Sequence, residues 1–166
     1  MKDTKKMATI AMLIAIQLVL TRFLSVASPL KRISFAFIAL ALNGALFGPI
    51  IAAISAALVD FIGALLFPIG PYFAGFTLTA AIAGLIYGLF LHNREINFKN
   101  IIPCIVLVNL VYLVLNTVWI RMLTGNEFNV LLTARAPQAI LETFVKSLVL
   151  ILILPRLKRE ALRIIK

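Results

Sequence analysis

Charge is scarce in this sequence, and acid is scarcer still: 13% of its 166 residues are charged, and six of those are Asp or Glu. It holds one histidine, His92, and one cysteine, Cys104. So small a stock, with most of the acids at segment ends, cannot supply the paired acid and base or the metal-ligand cluster that common mechanisms need. Neither a metal nor a cofactor is expected. There is no glycine-rich phosphate loop of the Walker type, so any uphill movement must draw on ATP hydrolysed by another subunit. A lone cysteine makes no intrachain disulfide, and Cys104, inside an apolar run, reads as a small lipid- or core-facing residue. Long internal repeats are missing too. A chain this short leaves little room for the two full bundles of an inverted-repeat transporter, which favours a partial machine that works with partners.

What the sequence does have is hydrocarbon. Hydrophobic residues make up 63% of it and the mean hydropathy is +1.09, whereas a soluble domain is about half apolar and a quarter charged. The excess must face lipid. An apolar stretch of roughly 20 residues spans a bilayer core, and the chain divides into six such segments, at about Met7–Leu24, Phe35–Phe47, Pro49–Phe67, Tyr72–Leu91, Ile101–Leu123 and Pro137–Leu154. The breaks fall at Pro29, at Gly48-Pro49, at Pro68-Ile69-Gly70-Pro71, in the polar stretch His92–Asn100, and in a longer loop through Arg135. The expectation is an all-α polytopic membrane protein, with residues 1–166 forming one six-helix bundle.

A net charge of +10 invites the thought of nucleic acid, but the cations are not gathered on a soluble module that could track a phosphate backbone. They flank apolar segments. Lys2, Lys5, Lys6, Arg94, Lys99, Arg156, Lys158, Arg159, Arg163 and Lys166 fall on one face of a six-crossing bundle. Lys31, Arg32, Arg121 and Arg135 fall on the other, with Arg22 near the boundary. The positive-inside rule then places both termini in the cytoplasm of a multi-pass cell-membrane protein. The basic N-terminus before an apolar run resembles a signal peptide, yet Ser25-Val26-Ala27-Ser28 is a weak cleavage site, and the segment is read as a retained first helix.

Candidate functional residues fall into three groups. Ala8, Ala11 and Ala15 share one face of the first helix, where small side chains let another helix approach closely; chance spacing of a common residue is the plain alternative. Similar small-residue patterns at Ala52, Ala53, Ala56 and Ala57, and at Ala80, Ala81 and Gly84, read as packing inside the bundle. The second group gathers at the outer ends of the segments: Arg22, Arg32 and Ser34 at the first outer loop, Tyr72, Phe73, Phe76 and Thr77 after the second, and Asn116, Trp119 and Arg135 around the third. Convergence would build a pocket with cations for an anion, ring faces for a flat ring and an amide for its edge. Asn116 and Trp119, three apart, share a helical face, and read equally well as an interfacial belt with a packing Asn. The third group lies deeper: Asp60, which must be paired, neutral or near an aqueous pocket, and Glu142 with Lys146, four apart and able to neutralise each other.

Taken in order, these residues resemble a known family. Arg32-Ile33-Ser34-Phe35, Gly48-Pro49, Asp60-Phe61-Ile62-Gly63, the run from Pro68 through Phe73 to Phe76-Thr77-Leu78, and Asn116-Thr117-Val118-Trp119 with the later Arg135 are similar to the core pattern of the S components of energy-coupling factor (ECF) vitamin transporters. The likeness is greatest to the folate-specific members and runs from helix one to the start of helix six. Ala36-Phe37-Ile38 departs from it, because related chains often carry a proline there.

The resemblance implies a six-helix, non-catalytic subunit that binds a vitamin, folate or a related small molecule, from outside. It implies Tyr72, Phe73, Phe76, Asn116 and Trp119 around a pterin, and Arg22, Arg32 and Arg135 at its polar edge or its carboxylates. It also implies partners: a transmembrane coupling subunit, met in part by Ala11 and Ala15, and two ATPase subunits. Riboflavin and pantothenate are the alternatives within the same fold.

Overall fold

In a computed structural model of the chain, residues 2–23, 25–27, 32–68 and 72–165 are described. Six helices carry the fold: α1 (Lys2–Arg22), α2 (Ala36–Phe47), α3 (Pro49–Leu66), α4 (Ala74–Leu91), α5 (Phe98–Thr124) and α6 (Phe128–Ile165). Between α1 and α2 two short strands, β1 (Ser25–Ala27) and β2 (Arg32–Ser34), pair antiparallel with Ser25 opposite Ser34 and Ala27 opposite Arg32. The sequence reading has a plain loop there. Three-residue strands carry too few side chains to show a period of two, so no pattern announces them.

Four helices, α1, α3, α4 and α5, are long and apolar enough to cross a membrane. At 12 residues α2 is short, about 18 Å at 1.5 Å per residue. The outer surface is what lipid requires: Met7, Ile50, Ile140 and Phe144 are each more than 70% exposed, a placement that water would oppose.

The helix ends follow local chemistry. Gly48, at φ +87°, joins α2 to α3 in a conformation that L side chains rarely adopt, and Pro49 then starts α3. Asn97 caps α5 by accepting from the Asn100 N–H at 3.2 Å. Gly125, left-handed at φ +72°, ends α5 with its N–H on the Arg121 carbonyl.

One boundary differs from the sequence reading in a way that matters. Pro137 looks like the first residue of the last helix, but α6 begins nine residues earlier at Phe128 and runs through both Pro137 and Pro155. Membrane helices tolerate internal proline because neighbouring groups satisfy the freed carbonyl. Arg135 therefore sits on a helix, not in a loop.

The apolar core lies at the end of the bundle away from the hairpin. Leu40, Ala41, Tyr87, Leu91, Ile101, Ile105, Val108, Leu150 and Leu154 are all at most 4% exposed and form one cluster with Cys104. Small residues let the backbones meet there. A side chain on Gly84 would strike the Ala52 carbonyl, and one on Gly88 would strike Pro49, so α3 and α4 touch backbone to backbone as small-residue membrane interfaces do. Asn43 and the Tyr87 hydroxyl are buried within this packed part of the bundle, and a larger group of rings, hydroxyls and cations stands at the hairpin end.

Candidate functional site

α1 enters this region through Arg22, whose guanidinium reaches across to the C-terminal half of α3. Nη1 donates to the Phe67 carbonyl at 3.2 Å and Nη2 to the Asp60 carbonyl at 3.3 Å. Gly63 makes room for it, since a Cβ there would collide with the guanidinium. Arg22 thereby ties α1 to α3 through two backbone carbonyls, of which that of Phe67 lies just past the last turn of the helix. The Asp60 carboxylate accepts from the Thr77 hydroxyl at 2.7 Å, and that hydroxyl lies 3.2 Å from the Tyr72 hydroxyl. Asp60 is thus hydrogen-bonded across to α4. Tyr72 also packs edge-on to Phe61 at 5.7 Å.

An aromatic group follows on the first turn of α4. Phe73 meets Phe76 edge to face at 6.1 Å and lies 5.6 Å from Trp119 of α5. Trp119 Nε1 donates to Thr79 Oγ1 at 2.9 Å, and that hydroxyl donates in turn to the Gly75 carbonyl at 3.0 Å. The indole rests on Gly75, where a Cβ would come within 2.6 Å of the ring.

Arg135 completes the arc from α6. It is 3% exposed, and its Nη1 donates to Thr117 Oγ1 at 2.9 Å. Thr117 in turn donates to the Leu113 carbonyl. Arg135 Nε, Asn116 Oδ1 and Arg22 Nε are buried with no hydrogen-bond partner among the described residues, an arrangement that native interiors rarely leave unexplained.

Below this arc the α5–α6 interface stays polar. Lys146 Nζ pairs with Glu142 at 2.8 Å and donates to Asn109 Oδ1 at 2.9 Å, while Asn109 Nδ2 donates to Thr143 at 2.7 Å. Glu142 and Lys146 do neutralise each other, as their spacing suggests, and Lys146 lies 5.9 Å from the Phe37 ring centre of α2. Burial of the pair, with side-chain exposures of 14% for Lys146 and 6% for Glu142, makes each charge depend on the other.

Of the residues singled out in the sequence, the contacts above link Arg22, Tyr72 and Thr77 through Asp60, and Phe73, Phe76 and Trp119 through their rings. Arg135 and Asn116 stand on neighbouring turns of α6 and α5. Ser34 is turned to the backbone: its hydroxyl donates to the Leu20 carbonyl at 2.8 Å and accepts from the Ala36 N–H at 3.1 Å, pinning the hairpin between α1 and α2. Arg32 has its backbone in β2 opposite Ala27, and its side chain lies outside the described residues, as do Ile69, Gly70 and Pro71 of the second outer turn. Ala8, Ala11 and Ala15 are exposed, whereas Thr9, Leu13 and Gln17 turn inward. Residues not singled out are Gly75, Thr79 and Asn109. A polar side chain inside an apolar run, four residues from a glycine, is the available signal for Thr79.

An apolar helical bundle, closed at one end and carrying rings, cations and unpartnered amide and guanidinium atoms at the other, defines a helical membrane protein with a candidate solute site at that end. The chain belongs to the S-component family of ECF-type transporters: the family model described as "ECF-type riboflavin transporter, S component" matches residues 1–159. Its relatives include the folate transporter FolT of Clostridium novyi, 40% identical over 136 residues that cover 81% of this chain and 79% of that one. FolT of Leuconostoc mesenteroides is 32% identical over 142 residues, 83% of this chain and 76% of that one. Among solved structures, a crystal structure of FolT bound with folic acid superposes with a TM-score of 0.83 at 33% identity, covering 88% of this chain and 90% of the other.

Proposed function

We propose that this chain is the folate-capturing subunit of an ECF importer, with its site at the ring-and-cation end of the bundle. Folate joins a flat pterin, a benzoyl ring and a glutamate with two carboxylates. Trp119, Phe73, Phe76 and Tyr72 supply ring faces, Asn116 an amide for the pterin edge, and Arg135, Arg22 and Arg32 positive charge. Ser34 and Thr77 act at the margin of the site, holding the hairpin and Asp60. The observation that carries this reading is the pair of buried atoms without a partner among the described residues, Asn116 Oδ1 and Arg135 Nε, an acceptor on α5 and a donor on α6; the folate transporters among the relatives support the choice of vitamin.

Calorimetry on the purified protein without ATP tests it. Folate should bind near one to one, and absence of heat with folate would remove the reading. Riboflavin is the second reading, favoured by the description of the matching family model. A flavin carried through purification would absorb visible light and a folate only ultraviolet, so one spectrum separates them.

Delivery follows from the outer face of α1. Ala8, Ala11 and Ala15 are exposed and free of bulk, suited to close approach by a transmembrane coupling subunit that is itself driven by two ATPase subunits. Both termini, and the basic ends of the helices, then lie in the cytoplasm. Replacing Ala11 and Ala15 with Leu should leave folate affinity unchanged and abolish uptake in cells; loss of binding as well would return the alanines to the internal packing.

A further inference from the structure

Thr79 is a polar residue inside an apolar helix, and it is fully buried at 0% exposure. Its hydroxyl has one hydrogen to donate and two lone pairs with which to accept. The hydrogen goes to the Gly75 carbonyl one turn back along α4, at 3.0 Å. That fixes the direction of the relay and turns a lone pair toward α5, where the Trp119 N–H meets it at 2.9 Å. Gly75 has the complementary role, because the indole and the Phe73 ring both close over its missing side chain: a Cβ would sit 2.5 Å from Phe73 Cε1, 2.6 Å from Trp119 Cδ2 and 2.8 Å from Trp119 Cε2. Phe73, 5.6 Å away and tilted by 48°, borders the same ring.

The indole is therefore held at its N–H, over its fused edge and beside Phe73. Two consequences follow. Its one polar group is already spent, so Trp119 can serve a ligand only through a ring face, and that face stands at one orientation before any ligand arrives. Pre-orientation of this kind lowers the entropy lost on binding.

We propose that Thr79 is a positioning residue for ligand capture, which acts by holding the Trp119 indole in its stacking orientation without touching the ligand. The proposal rests on the folate reading above for the identity of the ligand, but not for the hydrogen bond. Trp119 is the one tryptophan in the sequence, so fluorescence of the ligand-free protein excited at the red edge of the tryptophan band, where tyrosine does not absorb, reports on that ring alone.

Thr79→Val keeps the shape and removes the acceptor, while Thr79→Ser keeps the hydroxyl. In the ligand-free protein, Thr79→Val should shift the emission maximum and raise acrylamide quenching, and Thr79→Ser should restore the parent values. Folate affinity should fall about fivefold in Thr79→Val, the size of one net hydrogen bond, and recover in Thr79→Ser. A general packing role is separated by Trp119→Phe, which has no N–H to hold: added to that background, Thr79→Val should cost no further affinity. An unchanged emission spectrum in Thr79→Val, a changed spectrum with unchanged affinity, or the same fivefold loss in the Trp119→Phe background would each overturn the proposal. A parent protein that binds no folate would overturn the folate reading instead, with the emission comparison still deciding the hydrogen bond. Should Thr79→Val fail to fold, Thr79→Ala tests the same acceptor in a smaller side chain.

Discussion

Two helix interfaces in this molecule meet the same demand by opposite means. Between α3 and α4, Gly84 lies against the Ala52 backbone and Gly88 against Pro49, so cohesion comes from close van der Waals approach. Between α5 and α6 the contacts are Thr117 with Arg135, Asn109 with Thr143, and Asn109 with Lys146, which is also paired to Glu142 one turn back on its own helix. Lipid tails are as apolar as leucine and supply no hydrophobic drive between helices, which leaves packing and interhelical hydrogen bonds as the adhesives. The first interface is inert and gives the bundle its closed end. The second keeps polar atoms in the interior, and its upper end, at Asn116 and Arg135, belongs to the candidate site. A polar seam is the more costly of the two solutions, because its buried charges must be paired.

The comparison can be broken most violently at the seam. Lys146→Met removes the ion-pair partner of the buried Glu142 carboxylate, which keeps a hydrogen bond from the Gln138 amide, and should cost about 3 kcal/mol, seen as a loss of thermal stability in detergent. Adding Glu142→Gln should return most of it, and a single variant as stable as the parent would show that the pair is already solvated. At the packed interface, Gly84→Leu forces α3 and α4 apart and should cost about 2–3 kcal/mol, with no rescue by a polar partner. The gentlest probe is Thr117→Val, which removes the acceptor of Arg135 and should cost about 1 kcal/mol. Its effect should appear in folate affinity more than in melting temperature; the reverse would assign Arg135 to structure alone.

Much of this arrangement is readable from residues in order. Long apolar runs and the Gly48-Pro49 break place the helices, because burial in lipid leaves a periodicity-free apolar stretch that nothing soluble shares. The Glu142–Lys146 spacing of one turn gives their pairing. The convergence of outer-end side chains is half legible: their residue types mark a polar rim, but the direction in which each side chain spends its hydrogen bonds is a tertiary matter. Arg22 and Ser34 both read as ligand groups and both satisfy backbone carbonyls, and Ser34 also accepts the Ala36 N–H. Arg135 reads as a loop residue because proline usually opens a helix, and only the neighbouring helices show that here it does not. Thr79 is marked in the sequence only as a polar residue in an apolar run, four residues after a glycine, and its partner lies 40 residues away.

All of these interfaces serve one claim, that the ring-and-cation end of the bundle is where folate binds, with Trp119 stacked against it. Titrating the purified protein with folate while following Trp119 emission, corrected for the absorbance of folate itself, tests that claim most directly. Saturable quenching at one equivalent is the predicted result. Heat of binding by calorimetry with no change in emission would place the vitamin elsewhere and contradict the account.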